Sequence, residues 1–339
     1  MPVPPPEALP RIDGFDDLEP LGGGEAATVY RAVETTTGTP VALKVFAASI
    51  DEQAATSFED ACEVLAEVSL HPGVCTLRWF GHSEDDQPYV AMDLCVESLG
   101  RRLRERGVIA VDDVIALLRR MAGALDHAHR AGLVHGDVKP ENLLLTAAGQ
   151  PVITDFALPG EPLAAPTSAG LVTAGAVHAA PEVLSGHPAS AASDVWSLAS
   201  TAHQLLSGTA PFRKVTDESS ATMLARIKRD PPPALLGHGV PAWLDHVLAV
   251  AMSKDPADRP TMAALVDALA TKGASLEAEP AAEPAPVGAD GAAEAADVEL
   301  VDPLAHLPRR PRRRWVRRGL TVLLVIAVIG GAAALALAL

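Results

Sequence analysis

The stretch HGDVKPENLLL, residues 135–145, decides how this chain is interpreted, and the triplet DFA follows it at residues 155–157. Four polar residues of these two segments have the types that phosphoryl transfer requires. Asp137 can accept a hydroxyl proton, and Lys139 can offset phosphate charge. Asn142 and Asp155 offer the hard oxygen atoms that hold divalent metal ions. Because this combination of residues rarely occurs by chance, the two segments predict a phosphoryl-transfer site.

Further motifs flank that site. They are LGGGEAATVY at 21–30, VALK at 41–44, AAPE at 179–182, SDVWSLAS at 193–200, LLSGTAPF at 205–212 and KDPADRP at 254–260. In their order and spacing they resemble, over residues 12–270, the eukaryotic-like serine/threonine protein kinases of bacteria. Lys139, two residues after Asp137, resembles the Ser/Thr class rather than the Tyr class. The resemblance implies an α+β, bilobal protein kinase fold with a small β-rich N-lobe and a large helical C-lobe.

The same resemblance implies an enzyme that transfers the γ-phosphoryl group of ATP to Ser or Thr of cytosolic proteins, with Mg²⁺ or Mn²⁺ as the metal. It assigns catalytic roles to Asp137, Lys139 and Lys44, and metal binding to Asn142 and Asp155. The cofactor-binding residues that it implies are Leu21, Gly22, Gly24, Val29, Ala42, Lys44, Glu63, Met92, Asp93, Asn142 and Asp155.

Lys44 also needs a carboxylate partner on the helix predicted at residues 57–70, since an ion pair would hold its ammonium group for the phosphates. The spacing that is usual in the family leads to Cys62, one residue before Glu63. Glu59 and Glu67 lie one turn to either side. We favour Glu63, while the alternative is that all three glutamates form a solvated face.

Other motif positions imply structural support. Glu182 and Arg259 are expected to form a buried ion pair. Asp194 is expected to brace the catalytic loop, which we define as residues 135–142. The segment between residues 155 and 182 also offers three candidate phosphorylation sites, which are Thr167, Ser168 and Thr173.

Several positions depart from the kinase pattern. Ala27 replaces the third glycine of the Gly-rich loop, Gly136 replaces an arginine that contacts a phosphorylated activation segment, and Ala157 replaces a glycine. Ala174 and His178 stand near the places of a usual threonine and tyrosine. None of these changes deletes a catalytic group. They leave open an alternative, a pseudokinase or weakly active membrane-tethered scaffold that binds nucleotide and partner proteins.

Composition is consistent with one catalytic domain and a tail. The chain has 339 residues, 48% of them hydrophobic, which suffices for a large core, and its formal net charge of -16 argues against nucleic-acid binding. The three cysteines, Cys62, Cys75 and Cys95, have no CxxC spacing and suit a reducing cytosol. We interpret them as packing residues.

The chain divides by pattern into a Pro-rich lead at 1–11, a kinase-like domain at 12–271 and a tail. The lead lacks the charged and apolar regions of a signal peptide. Within the domain, residues 15–99 are mostly strand-like, and the expected N-lobe spans residues 12–96. Helical periodicity dominates residues 111–269, within the expected C-lobe at 97–271.

The tail has three parts. Residues 272–308 are rich in Ala, Pro, Glu and Asp and predict a disordered acidic linker, residues 309–318 are basic, and residues 319–339 contain no charged side chain. As a helix, the last stretch would measure about 31 Å, close to the hydrocarbon thickness of a bilayer. We therefore expect one C-terminal transmembrane helix rather than a buried helix of the large lobe.

Because positive flanks stay on the cytoplasmic side, this helix would anchor the protein in the inner membrane as a single-pass protein. The kinase domain would be cytosolic, and the C-terminus would lie at or just beyond the outer face. Membrane-associated protein substrates are the expected partners, and residues 309–318 are expected to contact anionic lipid headgroups. The spacing of Ala327 and Gly331 leaves a homodimer open.

Overall fold

The structure is a computed structural model that describes residues 9–24, 26–47, 49–158, 177–213 and 219–272. Its first part contains six strands and three helices: β1 (Phe15–Gly23), β2 (Ala27–Glu34), β3 (Pro40–Phe46), α1 (Glu52–Val68), β4 (Leu77–His82), β5 (Pro88–Asp93), β6 (Glu97–Ser98), α2 (Leu99–Arg106) and α3 (Val111–Arg130). Its second part contains β7 (Leu143–Leu145), β8 (Pro151–Ile153), α4 (Ala191–Ser207), α5 (Ser220–Arg229), α6 (Ala242–Ala251) and α7 (Met262–Ala270).

The small lobe is an antiparallel sheet in the order β1-β2-β3-β5-β4. Side chains alternate between its two faces, as expected for β-strands. One face carries a buried core that includes Tyr30, Val41, Leu43 and Ala91. The opposite face carries Ala42 and Lys44 and is directed toward the site described below.

Helix α1 begins earlier than the sequence pattern predicted. Asp51 caps its N-terminus by accepting a hydrogen bond from Ala54 N at 2.8 Å. Phe58 is 1% exposed and packs edge-to-face against Phe46 of β3, with 5.7 Å between the ring centroids. This contact fixes α1 against the end of β3, two residues beyond Lys44.

The large lobe is helical. Helix α3 packs against α4 and α7, and its inward positions include Val114, Leu118 and Met121. Helix α4 is the most deeply buried element, because nearly all of its side chains are covered and Trp196 is 0% exposed. Trp196 stacks on Phe212 with 5.7 Å between the ring centroids.

A second antiparallel sheet, in the order β6-β7-β8, lies where the chain passes from the small lobe to the large lobe. We define residues 94–96, between β5 and β6, as the interlobe linker. Val96 N donates to Leu145 O at 2.9 Å and so ties the linker to β7. On the other side, Cys75 N donates to Ile153 O at 2.8 Å and joins the segment before β4 to β8.

Among the residues that the structure describes, no helix is both long and apolar enough to cross a membrane. Three predicted segments lie outside the described residues: the linker at 272–308, apart from its first residue, the basic segment at 309–318 and the transmembrane helix at 319–339.

Candidate active site

A cleft lies between the small lobe and the large lobe, and one face of the small sheet forms its wall on the small-lobe side. Val29 is paired with Lys44 across β2 and β3, and Ala42 is paired with Met92 across β3 and β5. Directly paired residues of an antiparallel sheet share a face, so these four predicted cofactor-binding residues lie together. All four are half-buried, which leaves room for a ligand against them. Leu21, at the end of β1, is 55% exposed beside this wall.

The Gly-rich turn between β1 and β2 depends most on a glycine that the sequence interpretation did not select. A Cβ atom added at Gly23 would lie 2.8 Å from Ala27 O and 2.9 Å from the Cα atom of Thr28, so the turn requires glycine there. At Gly22 and Gly24, a Cβ atom would meet nothing within 4 Å. The space above these two predicted glycines is therefore open for phosphate groups.

Asp93 makes contacts with other residues of the protein through both its side chain and its backbone. Its carboxylate forms an ion pair with Arg78, and its backbone N–H donates to Thr76 O at 3.1 Å. Its carbonyl oxygen accepts a hydrogen bond from the weak donor Cys75 Sγ at 3.5 Å. The carboxylate of Asp93 is thus engaged by Arg78, and a contact of Asp93 with the nucleotide stays a prediction.

Lys44 and Asp155 meet across the cleft, with 2.6 Å between Lys44 Nζ and Asp155 Oδ1. Burial by itself would raise the pKa of Asp155. The positive charge and hydrogen bond of Lys44, with contributions from His135 and Lys139, outweigh that effect, so the pKa of Asp155 is lowered. Asp155 is therefore a carboxylate at neutral pH, the form that binds metal ions.

Glu63 lies on α1, and its side chain is half-buried. Its neighbour Cys62 is 0% exposed, so it belongs to the core. Glu59 is half-buried too, whereas Glu67 is exposed. Glu67 thus differs from Glu59 and Glu63 in being exposed to solvent. The assignment of Glu63 as the partner of Lys44 stays a prediction.

The catalytic loop brings three predicted residues into one hydrogen-bonded group. Lys139 Nζ donates to Asp137 Oδ2, and Asn142 Nδ2 donates to the same oxygen at 3.2 Å and to Asp137 O at 2.8 Å. The Asp137 side chain is nevertheless 44% exposed. Its carboxylate is thus oriented by two donors while a substrate hydroxyl can still reach it.

Asp194 holds this loop from below, as the sequence predicted for a bracing residue. Its carboxylate accepts hydrogen bonds from His135 N at 2.8 Å and Gly136 N at 2.9 Å, and it lies 2.8 Å from His129 Nε2. The side chain is 1% exposed. Three polar partners compensate for the burial of this acidic group.

His135 connects the loop to the Asp155 segment. Because Asp137 N–H donates to His135 Nδ1 at 3.2 Å, the hydrogen of this imidazole lies on Nε2 and is donated to Thr154 O at 2.9 Å. The ring also packs on buried Phe156, with 4.6 Å between centroids. Asp137 and Asp155 are therefore positioned through one shared histidine.

The donor set fits a hard divalent cation such as Mg²⁺. Asn142 uses its amide nitrogen for Asp137, so its amide oxygen is the end left to act as an acceptor. Asp155 adds a carboxylate. These are oxygen donors of the kind that Mg²⁺ takes together with phosphate oxygens. No cluster of three or more His, Cys, Asp or Glu side chains suited to a metal occurs within the described ranges.

The predicted ion pair between Glu182 and Arg259 is present and bidentate. The two contacts are 2.6 Å for Nη1 to Oε1 and 2.8 Å for Nη2 to Oε2, and the arginine side chain is 0% exposed. The candidate phosphorylation sites Thr167, Ser168 and Thr173 lie outside the described residues.

His178 is a site-proximal residue whose role the sequence pattern did not reveal. It is 3% exposed, with Nδ1 at 2.9 Å from Ser200 Oγ and Nε2 at 2.7 Å from Gln204 Oε1. Ser197 Oγ donates to its carbonyl oxygen at 2.9 Å. Among the described residues just before Glu182, His178 thus fastens the chain to α4.

Comparison with known proteins agrees with this geometry. The protein kinase domain family matches residues 15–269. The chain belongs to the protein kinase family. The serine/threonine-protein kinase PknL of Mycobacterium bovis is 36% identical over 264 residues, which cover 76% of this chain and 63% of PknL. PknA of Mycobacterium tuberculosis is 34% identical over 247 residues, covering 70% of this chain and 56% of PknA.

The serine/threonine-protein kinase PknK of Mycobacterium tuberculosis is 34% identical over 252 residues, or 74% of this chain. The match covers only 23% of PknK, so this chain spans less than a quarter of that relative. Residues 15–269 are therefore a kinase domain of the bacterial Ser/Thr type, the class of ATP-dependent phosphotransferases.

Solved structures give the same fold. The kinase domain of Mycobacterium tuberculosis PknI, solved as a cysteine-to-alanine mutant, superimposes with a TM-score of 0.58 at 28% identity, covering 77% of this chain and 96% of that domain. Rad53 residues 1–466, solved in complex with AMP-PNP, also has a TM-score of 0.58, at 25% identity, covering 75% of this chain and 64% of Rad53.

Proposed function

We propose that this protein is an active, membrane-anchored kinase that uses ATP and Mg²⁺ to phosphorylate Ser or Thr of cytosolic proteins. The observation that carries the proposal is the convergence of Lys44, Asp155, Asn142 and Asp137 on one cleft, linked by direct contacts and by His135. A scaffold that only bound partners would not need this combination of polar groups.

The residues divide the reaction between them. The substrate hydroxyl oxygen attacks the γ-phosphorus of ATP, the bond from that phosphorus to the β,γ-bridging oxygen breaks, and ADP leaves. Asp137 accepts the hydroxyl proton, held in place by Asn142 and Lys139. Lys139 also offsets charge on the transferred group, while Lys44 reaches the phosphates from the opposite wall.

Asn142 and Asp155 would hold Mg²⁺ by their side-chain oxygens. When bound with ATP, the ion would supply positive charge that offsets the negative charge developing on the phosphates. Asp155 forms an ion pair with Lys44 in this structure. When ATP and the ion bind, Lys44 would also contact the phosphates and Asp155 would also contact the ion.

The activity can be tested on the full chain in detergent with γ-labelled ATP, Mg²⁺ and a generic basic protein. We expect label on Ser or Thr and none on Tyr. Asp137→Asn keeps the hydrogen-bonding shape but loses the proton acceptor, so it should lower transfer at least about 100-fold. The exposed Asp85→Asn serves as a matched control and should transfer normally. Equal transfer by Asp137→Asn and the control would contradict the proposed role of Asp137.

The membrane part of the proposal rests on sequence. The uncharged stretch at 319–339 follows directly after the basic segment at 309–318. This order matches a membrane span with a cytoplasmic positive flank. Anchoring would place the kinase domain near membrane-associated substrates, and the basic segment would contact anionic headgroups.

A further inference from the structure

Two cysteines that are distant in sequence meet at the junction of the lobes. Cys75 lies in the segment before β4, and Cys95 lies in the interlobe linker. Their thiols lie close enough for each to shift the pKa of the other. Cys75 Sγ is also 3.5 Å from Asp93 O, two residues before Cys95.

The backbone fixes this contact on both sides. Cys75 N donates to Ile153 O at 2.8 Å, and Val96, next to Cys95, donates to Leu145 O at 2.9 Å. Asp93 N donates to Thr76 O at 3.1 Å and joins the two segments directly. These bonds hold the two segments that carry the cysteines side by side, and a disulfide requires such proximity.

The two thiols differ in accessibility and acidity. Cys95 is half-buried, whereas Cys75 is 5% exposed. The interaction with the Cys75 thiol lowers the pKa of Cys95. The same interaction, with burial, raises the pKa of Cys75 well above its usual range. Cys95 is therefore the group that an oxidant meets first, and Cys75 is the group placed to react with the product.

We propose that Cys75 and Cys95 form a reversible disulfide when the protein meets a hydroperoxide. The Cys95 thiolate attacks one peroxide oxygen, the O–O bond breaks, and Cys95 becomes a sulfenic acid. The Cys75 sulfur then attacks the sulfenic sulfur, the S–S bond forms, and water leaves. Overall, the two thiols lose two protons and two electrons, and hydrogen peroxide takes these up and becomes two molecules of water.

The disulfide would act on the kinase through its position. Cys95 belongs to the linker that must bend when the lobes move, and Cys75 is tied to the large lobe through Ile153. A covalent bond between them would restrain the linker beside Asp93 and Met92, on the wall of the nucleotide cleft. Because hinge positions affect binding and turnover together, we expect oxidation to weaken both.

The test is peptide mapping of the full chain after treatment with hydrogen peroxide, alkylation and trypsin digestion without reductant. Tryptic peptide 45–78 contains both Cys62 and Cys75, and peptide 79–101 contains Cys95. The experiment therefore uses a Cys62→Ser background, in which each peptide has a single cysteine. We expect a cross-linked pair of these peptides that dithiothreitol separates.

Two further variants in the same background complete the test. Cys75→Ser and Cys95→Ser should both lack the cross-link. When both cysteines are present, oxidation should remove most phosphotransfer and reduction should restore it. Neither effect should occur in the two variants. A Cys95 that stays unlinked, or proceeds to sulfinic acid while Cys75 remains a thiol, would overturn the proposal. Because mapping needs no enzyme activity, this result is independent of whether the chain transfers phosphate.

Discussion

Two residues of the cleft adopt left-handed backbone conformations, Gly136 with φ of +78° and Asp155 with φ of +71°. Left-handed geometry costs a non-glycine residue about 1–2 kcal/mol. Gly136 avoids that cost at the position where the kinase pattern has arginine, and its N–H still reaches Asp194. The glycine therefore removes a side chain that could bind a phosphorylated segment, while the backbone contact that braces the loop remains.

The burial of His178 leads to a prediction about how the stability of the fold depends on pH. Burial, with smaller opposing and supporting contributions from Gln204, Lys139 and His203, lowers the pKa of His178 to about 4. An unfolded chain would protonate this histidine near pH 6.5, so the folded state loses stability as the pH falls from about 6.5 toward 4. Between pH 7 and pH 5 we expect the contribution of His178 to the free energy of unfolding to fall by about 2 kcal/mol.

Urea unfolding of the full chain at the two pH values measures this effect. His178→Gln cannot titrate, so it should lose that part of the pH dependence even if its stability at pH 7 is lower. His187→Gln, an exposed histidine nine residues further along, is the matched control and should behave as the parent chain does. An identical pH dependence in His178→Gln and the parent would contradict the role of burial.

Helix α4 shows at the level of elements what the sequence could and could not predict. The periodicity of residues 195–206 predicted a helix of the large lobe, and the helix is present. Its small polar side chains bind other segments: Ser197 and Ser200 contact His178, and Thr201 donates to Val138 O at 3.3 Å. The spacing of residues in the sequence does not reveal these hydrogen-bond partners, because they depend on how α4 packs against loops that are distant along the chain.

Other elements were missed for related reasons. Helix α2 has the sequence LGRRLRER, and only Leu99, Gly100 and Leu103 are buried, so it lacks an apolar stripe long enough to predict. The contact between Cys75 and Cys95 was also missed, since their spacing matches no cysteine motif. Motif residues such as Asp137 and Lys44 were predictable because each chemical role permits few residue types.

At the scale of the whole molecule, the two lobes meet through the interlobe linker and the bonds of Cys75 and Val96 to the β7-β8 region. The cleft between them holds Lys44 on one side and Asp137 on the other, with Asp155 in contact with Lys44. A tail of 67 residues, 273–339, follows the described domain. The proposed anchor in that tail decides where in the cell such a kinase finds its substrates.

The anchor makes a prediction of its own. A lysine at the centre of a membrane span costs about 3 kcal/mol, so Ile326→Lys with Ile329→Lys should move the full chain from the membrane fraction to the soluble fraction. The conservative pair Ile326→Leu with Ile329→Leu should stay with the membrane. Alkaline carbonate extraction of expressing cells measures the partition. A parent chain found wholly in the supernatant would contradict membrane anchoring.

ATP binding and phosphotransfer can be measured on the same samples of full chain, with and without Mg²⁺. We predict that Asp137→Asn binds ATP as the parent does but does not transfer phosphate. Asp155→Asn should lose both transfer and the Mg²⁺-dependent part of ATP affinity. Transfer that survives in Asp137→Asn, or Mg²⁺-dependent binding that survives in Asp155→Asn, would contradict the account of the cleft as a phosphoryl-transfer centre.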